Sequence, residues 1–341
     1  MNTGCYTALV TPFADDHVDQ EGLDALIEFQ TANNITGIVA VGTTGESPTL
    51  NWDEHNQVVE TVVKQARGRC KCIAGVGSNN TREALFATEH AVRVGADAVL
   101  LVDPYYNGPS SLEIRKEYVS PIARAFPDLN IIPYVIPGRT GTQLLPEDLA
   151  MLFNEFKNVN AVKEATGDLD NMRRTRACCG KDFTILSGDD GITYEMMTDP
   201  EIQAAGSISV YSNVVPKAFS DMVALLSKGK IDEAKKLMKA LEPLFNLVTV
   251  KTKEPTPFGE TLVRSRNPVP VKHLMAVLGM PSGPCRQPLG KMTKKGMTII
   301  LEAARKVQAE TPELFQPVSG FFGVDIDERL NNPSHWEKLC Y

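Results

Sequence analysis

Apolar residues along the chain fall into two alternating spacings. Short runs at 6–10, 37–41, 72–76, 98–102, 131–136, 159–163, 183–186 and 207–210 have the length and composition of buried strands. Between them apolar residues recur at helical spacing, as at Leu23, Leu26, Ile27 and Phe29, or at Val58, Val59, Val62, Val63 and Ala66. Asn51-Trp52-Asp53-Glu54 and Asn80-Thr81-Arg82-Glu83 each place a capping residue three positions before a glutamate, and Gly95 closes the second helix. Eight strands, each followed by a helix and the seventh helix brief, is the count of an α/β (β/α)8 TIM barrel. A doubly wound open sheet would want a Gly-x-Gly-x-x-Gly turn after an early strand, and the first three βα turns have none. The pattern divides the chain into a barrel over residues 1–226, a C-terminal helical domain over 227–310 and a tail over 311–341. Helices are expected at 231–247, 271–278 and 297–309, and residues 248–266 read as a charged, Thr-containing connector. The tail's Phe315, Phe321, Phe322, Trp336 and Tyr341 predict that it docks on the body or on a neighbouring subunit.

Composition narrows the classes. The 341 residues exceed by about 90 the roughly 250 of a single barrel. Hydrophobic residues at 43% and charged residues at 23% are ordinary for a globular protein and exclude a disordered or collagenous chain. Lys and Arg number 35 against 42 Asp and Glu, a net charge of −7. That sign repels phosphate backbones and anionic lipid, which argues against nucleic acid and membranes as partners. No stretch approaches the roughly 18 apolar residues of a membrane span. The opening Met1-Asn2-Thr3-Gly4-Cys5 lacks the basic and apolar regions of a secretory signal. The seven cysteines lack zinc-site spacing, so reduced thiols and a cytoplasmic location are expected, or a plastid if a transit peptide was removed.

Barrel enzymes carry their chemistry at the C-terminal ends of strands. The second strand ends in Gly42-Thr43-Thr44-Gly45-Glu46, whose backbone N–H groups and hydroxyls can hold a small carboxylate, although such turns are often only turns. The sixth ends in Ala161-Val162-Lys163-Glu164-Ala165. With a period of two, Ala161, Lys163 and Ala165 share one face, which puts an ammonium inside the barrel if the strand reaches that far. Should the strand end one residue early, Lys163 is a solvated loop residue. Burial lowers a lysine's pKa, and an enzyme that needs an amine nucleophile uses this effect. On the fifth strand Ile132, Tyr134 and Ile136 share a face, so Tyr134 enters the same interior as a proton carrier or as core filling, with Arg139 just beyond. Asp103-Pro104-Tyr105-Tyr106-Asn107 and Ser187-Gly188-Asp189-Asp190 close the fourth and seventh strands.

These motifs, with Val162-Lys163-Glu164-Ala165-Thr166-Gly167 and Asn267-Pro268-Val269-Pro270-Val271-Lys272, resemble the dihydrodipicolinate synthase family of the N-acetylneuraminate lyase superfamily. The resemblance runs from about Cys5 to Ala309. It implies that Lys163 forms an imine with pyruvate, and that Tyr134 moves protons with Thr43 and with Tyr106 lent across a dimer interface. It further implies that Thr44 holds the pyruvate carboxylate, that Arg139 orients the carboxylate of L-aspartate 4-semialdehyde, and that Gly188 and Ile208 line the pocket with backbone. No metal or organic cofactor is implied. The implied assembly is a homotetramer of tight dimers.

The chain departs from the family pattern at Val135, usually Asn, which period two points toward the helices. Residues 248–266 are longer than in compact members. Members inhibited by lysine bind it at a dimer interface, and the matching positions are Ser47, Pro48, Trp52, His55, Asn79, Glu83 and Tyr105, with Trp52 resembling the plant-type site. Feedback inhibition by L-lysine is the expectation. The alternatives are another pyruvate-dependent aldolase, acting on N-acetylneuraminate or a 2-keto-3-deoxy sugar acid, or a non-catalytic ligand-binding barrel.

Overall fold

A computed structural model describes residues 1–341, and each of the eight apolar runs forms a strand. They are β1 (Gly4–Ala8), β2 (Gly37–Ala40), β3 (Lys71–Gly75), β4 (Ala98–Val102), β5 (Asn130–Val135), β6 (Ala161–Glu164), β7 (Thr184–Ser187) and β8 (Gly206–Ser209). All pair in parallel with their chain neighbours, and β8 closes on β1 to complete a barrel. Closure needs glycine: Gly4 lies opposite Gly206, and a Cβ on Gly206 would come within 1.9 Å of the Gly4 carbonyl oxygen. Several ladders begin earlier than the apolar runs. Leu9 and Val10 remain buried beyond β1, but the Val10 N–H donates to Asn213 Oδ1 (3.1 Å) rather than to a neighbouring strand.

The alternation of side chains follows from the pleat. Tyr6, Ala8, Val39, Ile73, Ile132 and Leu186 point inward and fill the barrel. Ile38, Cys72, Leu101, Val135 and Val162 point outward into the core beneath the helices. These helices are α1 (Gln20–Ala32), α2 (Trp52–Ala66), α3 (Thr81–Val94), α4 (Ser120–Ala125), α5 (Pro146–Glu155), α6 (Leu169–Cys179), α7 (Thr193–Thr198) and α8 (Pro216–Ser227). Asn51 and Glu54 form the expected reciprocal cap on α2. On α3 only half of it forms. Asn80 accepts from Arg82 N, while the Glu83 carboxylate takes the Ser78 hydroxyl at 2.5 Å. No helix is long and apolar enough to cross a membrane.

Five further helices follow the barrel: α9 (Ile231–Phe245), α10 (Val269–Val277), α11 (Lys294–Glu310) and, in the tail, α12 (Gln316–Phe322) and α13 (Ile326–Asn331). The expected connector is a two-stranded antiparallel hairpin, β9 (Thr249–Thr256) and β10 (Gly259–Arg266), turned by Pro257 and Phe258. Its alternation is faint in the sequence because its apolar half is Val250 and Thr252 alone, packed toward α11, while Lys251 and Lys253 face away. The tail packs on the body: Phe321 and Phe322 stack on Phe29 of α1, with ring centroids 5.4 and 5.2 Å away. Arg329 donates to the Ala276 and Val277 carbonyls, satisfying the end of α10.

A wholly buried ion pair joins the barrel to these added helices. Lys272 of α10 reaches Glu46, in the turn after β2, with Nζ 2.6 Å from Oε1 and both side chains wholly buried. Its other two protons go to the Thr11 and Pro284 carbonyls, each at 3.0 Å, and the second Glu46 oxygen accepts from Arg286 N. Burial pulls the Lys272 pKa down, and the Glu46 carboxylate opposes that pull. Removing one member of such a pair strands the other charge in a dry site. Lys272→Met is therefore expected to lose about 3–5 kcal/mol of stability in chemical denaturation, with Lys272→Met/Glu46→Gln recovering part of that loss. Equal losses in the single and double variants would show that the pair does not act as a unit.

Candidate active site

The C-terminal ends of the strands open on a cavity of about 340 Å³. Lys163 stands in it, on the inner face of β6, and the burial of Ala161 below it removes the solvated-loop alternative. Only 5% of Lys163 is exposed. Burial pulls its amine from the ordinary value near 10.5 to about 7; the carboxylate of Asp190 opposes that pull and the Arg139 guanidinium adds to it. Asp190 is itself buried and pushed up to about 6, and its oxygens accept from the Val210 and Tyr211 N–H groups.

Tyr134 is the register partner of Lys163 across β5 and β6, and Nζ sits 4.2 Å from the centroid of its ring. Burial raises the phenol's pKa, while Arg139 and a hydrogen bond with Thr43 hold it down. An amine and a phenol, both buried, therefore share one space, where a proton can pass between reacting atoms and the Tyr134 oxygen. Gly188 lines the same cavity. A Cβ there would lie 2.7 Å from Ala165 Cβ and 3.0 Å from Lys163 Cε, so glycine is required for the amine to stand where it does.

Arg139 is held on a single helical turn, Pro137–Thr140, and donates to the Asn267 carbonyl at 2.9 Å. The Asn267 side chain in turn donates to Thr44 Oγ1 at 2.9 Å, leaving Asn267 Oδ1 buried without a partner. Thr44, Asn267 and Arg139 thus form one hydrogen-bonded wall. The motif containing Asn267 was visible in the sequence, but nothing local to it pointed to that role. Lys251, Arg264 and Arg266 of the hairpin, legible in the sequence only as charges of the connector, also line the cavity.

A second cavity of about 200 Å³ adjoins the first and shares Thr43, Tyr134, Ile136 and Arg139 with it. Ser47, Pro48 and Tyr105 line this second space. Close by, His55 is buried with Nε2 2.9 Å from the Gly75 carbonyl, and its pKa is lowered by burial. Trp52 packs edge-on to it at 5.0 Å, and the Tyr105 N–H donates to Asn79 Oδ1. Trp52, His55, Asn79 and Glu83 lie outside the lining of this space. Two expected site residues stand apart. Tyr106 lines neither cavity and is 86% exposed. Ile208 lies in the inner barrel layer, and Val210 takes the lining position above it. No group of three or more His, Cys, Asp or Glu side chains is placed to hold a metal ion.

The model of the dihydrodipicolinate synthetase family matches residues 1–306. The chain belongs to that family. As a member it is a lyase of the class I aldolase type. It is 42% identical over 291 residues to the 4-hydroxy-tetrahydrodipicolinate synthase of Methanococcus vannielii, covering 85% of this chain and 93% of the relative. The enzyme of that name from Geotalea daltonii is 42% identical over 293 residues, 86% of this chain and 94% of its own. Among solved structures, the 4-hydroxy-tetrahydrodipicolinate synthase of Methylacidiphilum fumariolicum superposes with a TM-score of 0.83 at 36% identity, over 92% of this chain and all of that one. The DHDPS of Cyanidioschyzon merolae, solved with lysine bound, gives 0.80 at 33% identity over 89% and 97%.

For this family member the crowding at Gly188 and the depressed amine make separate predictions. Gly188→Ala is expected to displace the Lys163 amine and cut turnover by about 100-fold or more, with the circular dichroism spectrum unchanged. Reductive labelling of Lys163 by a carbonyl compound should rise with pH through a midpoint near 7, because only a neutral amine attacks a carbonyl carbon. Labelling that climbs toward pH 10 instead would mean the amine is solvated.

Proposed function

We propose that the chain condenses pyruvate with L-aspartate 4-semialdehyde to form 4-hydroxy-tetrahydrodipicolinate, in the route to diaminopimelate and lysine. The carrying observation is Lys163: an amine held near pKa 7 inside the barrel, against a phenol, on the wall of a cavity with Arg139 at its side. Nζ attacks the pyruvate carbonyl carbon, and water leaves as the imine forms. The imine withdraws electrons, so the pyruvate methyl gives up a proton and becomes an enamine carbon. That carbon attacks the aldehyde, whose oxygen takes a proton. The amine of the bound aspartate semialdehyde then adds to the imine carbon and expels Nζ, closing the ring and returning the enzyme.

Tyr134 carries protons in these steps, with Thr43 as its hydroxyl partner, consistent with the hydrogen bond that holds down the phenol's pKa. Thr44 and neighbouring N–H groups receive the pyruvate carboxylate. Arg139, charged although burial lowers its pKa, receives the carboxylate of the aldehyde. Tyr106 serves a neighbouring subunit. Its exposure, and the cavity beside Thr43 and Tyr134 that it does not reach in its own chain, support that reading. The assembly is a homotetramer built from such dimers, with exposed Phe86 and Leu112 available to the contact. L-Lysine binds at the interface among Ser47, Pro48, Trp52, His55, Asn79, Glu83 and Tyr105 and inhibits, supported by the shared wall between that space and the catalytic cavity.

Borohydride reduction in the presence of pyruvate should add one reduced pyruvyl group to the wild-type chain at Lys163, and none to Lys163→Ala. Absence of the adduct would remove the mechanism. Arg139→Ala should keep the adduct while raising KM for aspartate semialdehyde about tenfold or more. Millimolar lysine should lower the rate of the wild-type enzyme, and Glu83→Ala should abolish that effect; activity unchanged across the lysine titration would eliminate the inhibitory site.

A further inference from the structure

The hairpin presents a row of cations to the cavity that the barrel motifs do not account for. Lys251 and Arg264 are directly opposed across β9 and β10, and Thr249 is opposed by Arg266. One face of the ribbon is spoken for: Val250 is buried, and Thr252 Oγ1 lies 3.3 Å from Thr293 Oγ1 at the start of α11. Period two therefore turns Lys251, Arg264 and Arg266 to the other face, and all three line the cavity that holds Lys163. Like charges directly opposed across a ladder destabilise it. Neither Lys251 nor Arg264 has an ion pair or a side-chain hydrogen bond to relieve that repulsion, and Arg266 donates only to the Gly138 carbonyl at 3.1 Å.

The two carboxylates lining the cavity do not answer these charges. Asp190 is occupied by the Val210 and Tyr211 N–H groups, and Asp189 caps the turn that follows it. In a protein of net charge −7, the mouth of this one cavity is positive and unpaired. Once pyruvate is joined to Lys163, the remaining space runs outward from the imine past Arg139 to the hairpin.

We propose that the cross-strand pair Lys251 and Arg264, with Arg266, is a specificity-determining anion clamp that receives the carboxylate end of the acceptor aldehyde and delivers it to Arg139. The proposal rests on the condensation described above, and it extends the acceptor site from one arginine to a cationic ribbon. An acceptor lacking a carboxylate would have nothing to pair with this positive surface. The relief of the Lys251–Arg264 repulsion is then gained only when an anionic acceptor is bound.

The test uses the full-length enzyme with Lys251→Ala/Arg264→Ala, and Lys251→Arg/Arg264→Lys as the charge-conserving control. The Ala pair should raise KM for aspartate semialdehyde about tenfold while kcat and the KM for pyruvate change by less than about twofold. About 0.5 M KCl should raise the wild-type KM toward that of the Ala pair and leave the Ala pair's unchanged, and the charge-conserving pair should behave as wild type. An Ala pair with wild-type KM and wild-type salt dependence overturns the clamp. Equal impairment of the charge-conserving pair would also overturn it, because the hairpin would then act through its shape. Pyruvate trapping by borohydride, read on the same samples, separates this from the underlying reading. A wild-type enzyme without the Lys163 adduct defeats the condensation itself, whereas an intact adduct with unmoved aldehyde kinetics defeats only the clamp.

Discussion

The Glu46–Lys272 pair is the contact on which the site is built. A buried ion pair contributes little net stability, because desolvation of two charges offsets most of their attraction. Its effect here is on position. Glu46 ends the turn that carries Thr43 and Thr44, and it sits at a positive φ of 57° that a free chain would not favour. Lys272 belongs to the segment that also supplies Asn267. With the ion pair made, Asn267 meets Thr44 on one side and Arg139 on the other. The C-terminal region, through Asn267 and the hairpin that precedes it, is therefore part of the active-site wall and more than a cover for the barrel.

Charge is segregated by depth in the resulting cavity. At its floor the surroundings disfavour ionisation. Burial lowers the Lys163 pKa and raises that of Tyr134, so the amine and the phenol both move toward their neutral forms. At its mouth stand Arg139 and the hairpin's Lys251, Arg264 and Arg266. A class I aldolase acting on acids needs both conditions, since an ammonium cannot attack a carbonyl and a carboxylate cannot be held without cations. The barrel separates the two along a strand, with small residues at Ala161, Ala165 and Gly188 leaving the amine room to stand upright.

Much of this was legible in the residues. Strand number and order followed from apolar runs and their helical intervals, and the small-Lys-small pattern of β6 placed Lys163 inside correctly because a strand's pleat leaves no other choice. Val135 turned to the helices for the same reason. Where two local signals competed, the sequence was ambiguous. Glu83 looked like half of a capping box and bonded to the Ser78 hydroxyl instead. The hairpin had a weak alternating pattern, masked by its charges and by having only one well-buried apolar position, Val250.

Sequence alone determined the barrel class, the inward face of each strand and the burial of one lysine, because these depend on periodicities of two and 3.6 that a single segment carries within itself. Which loops meet was decided only by the tertiary structure. Asn267 and Thr44 are 223 positions apart and Lys272 and Glu46 are 226 apart. Neither local pattern encodes its partner, and closure of the barrel with α10 seated against Thr11 and Glu46 is what brings each pair within hydrogen-bonding distance. The cationic ribbon has the same origin: Lys251 and Arg264 are ordinary charges on a polar segment until the hairpin's register and its seat on α11 turn both toward the cavity that holds Lys163.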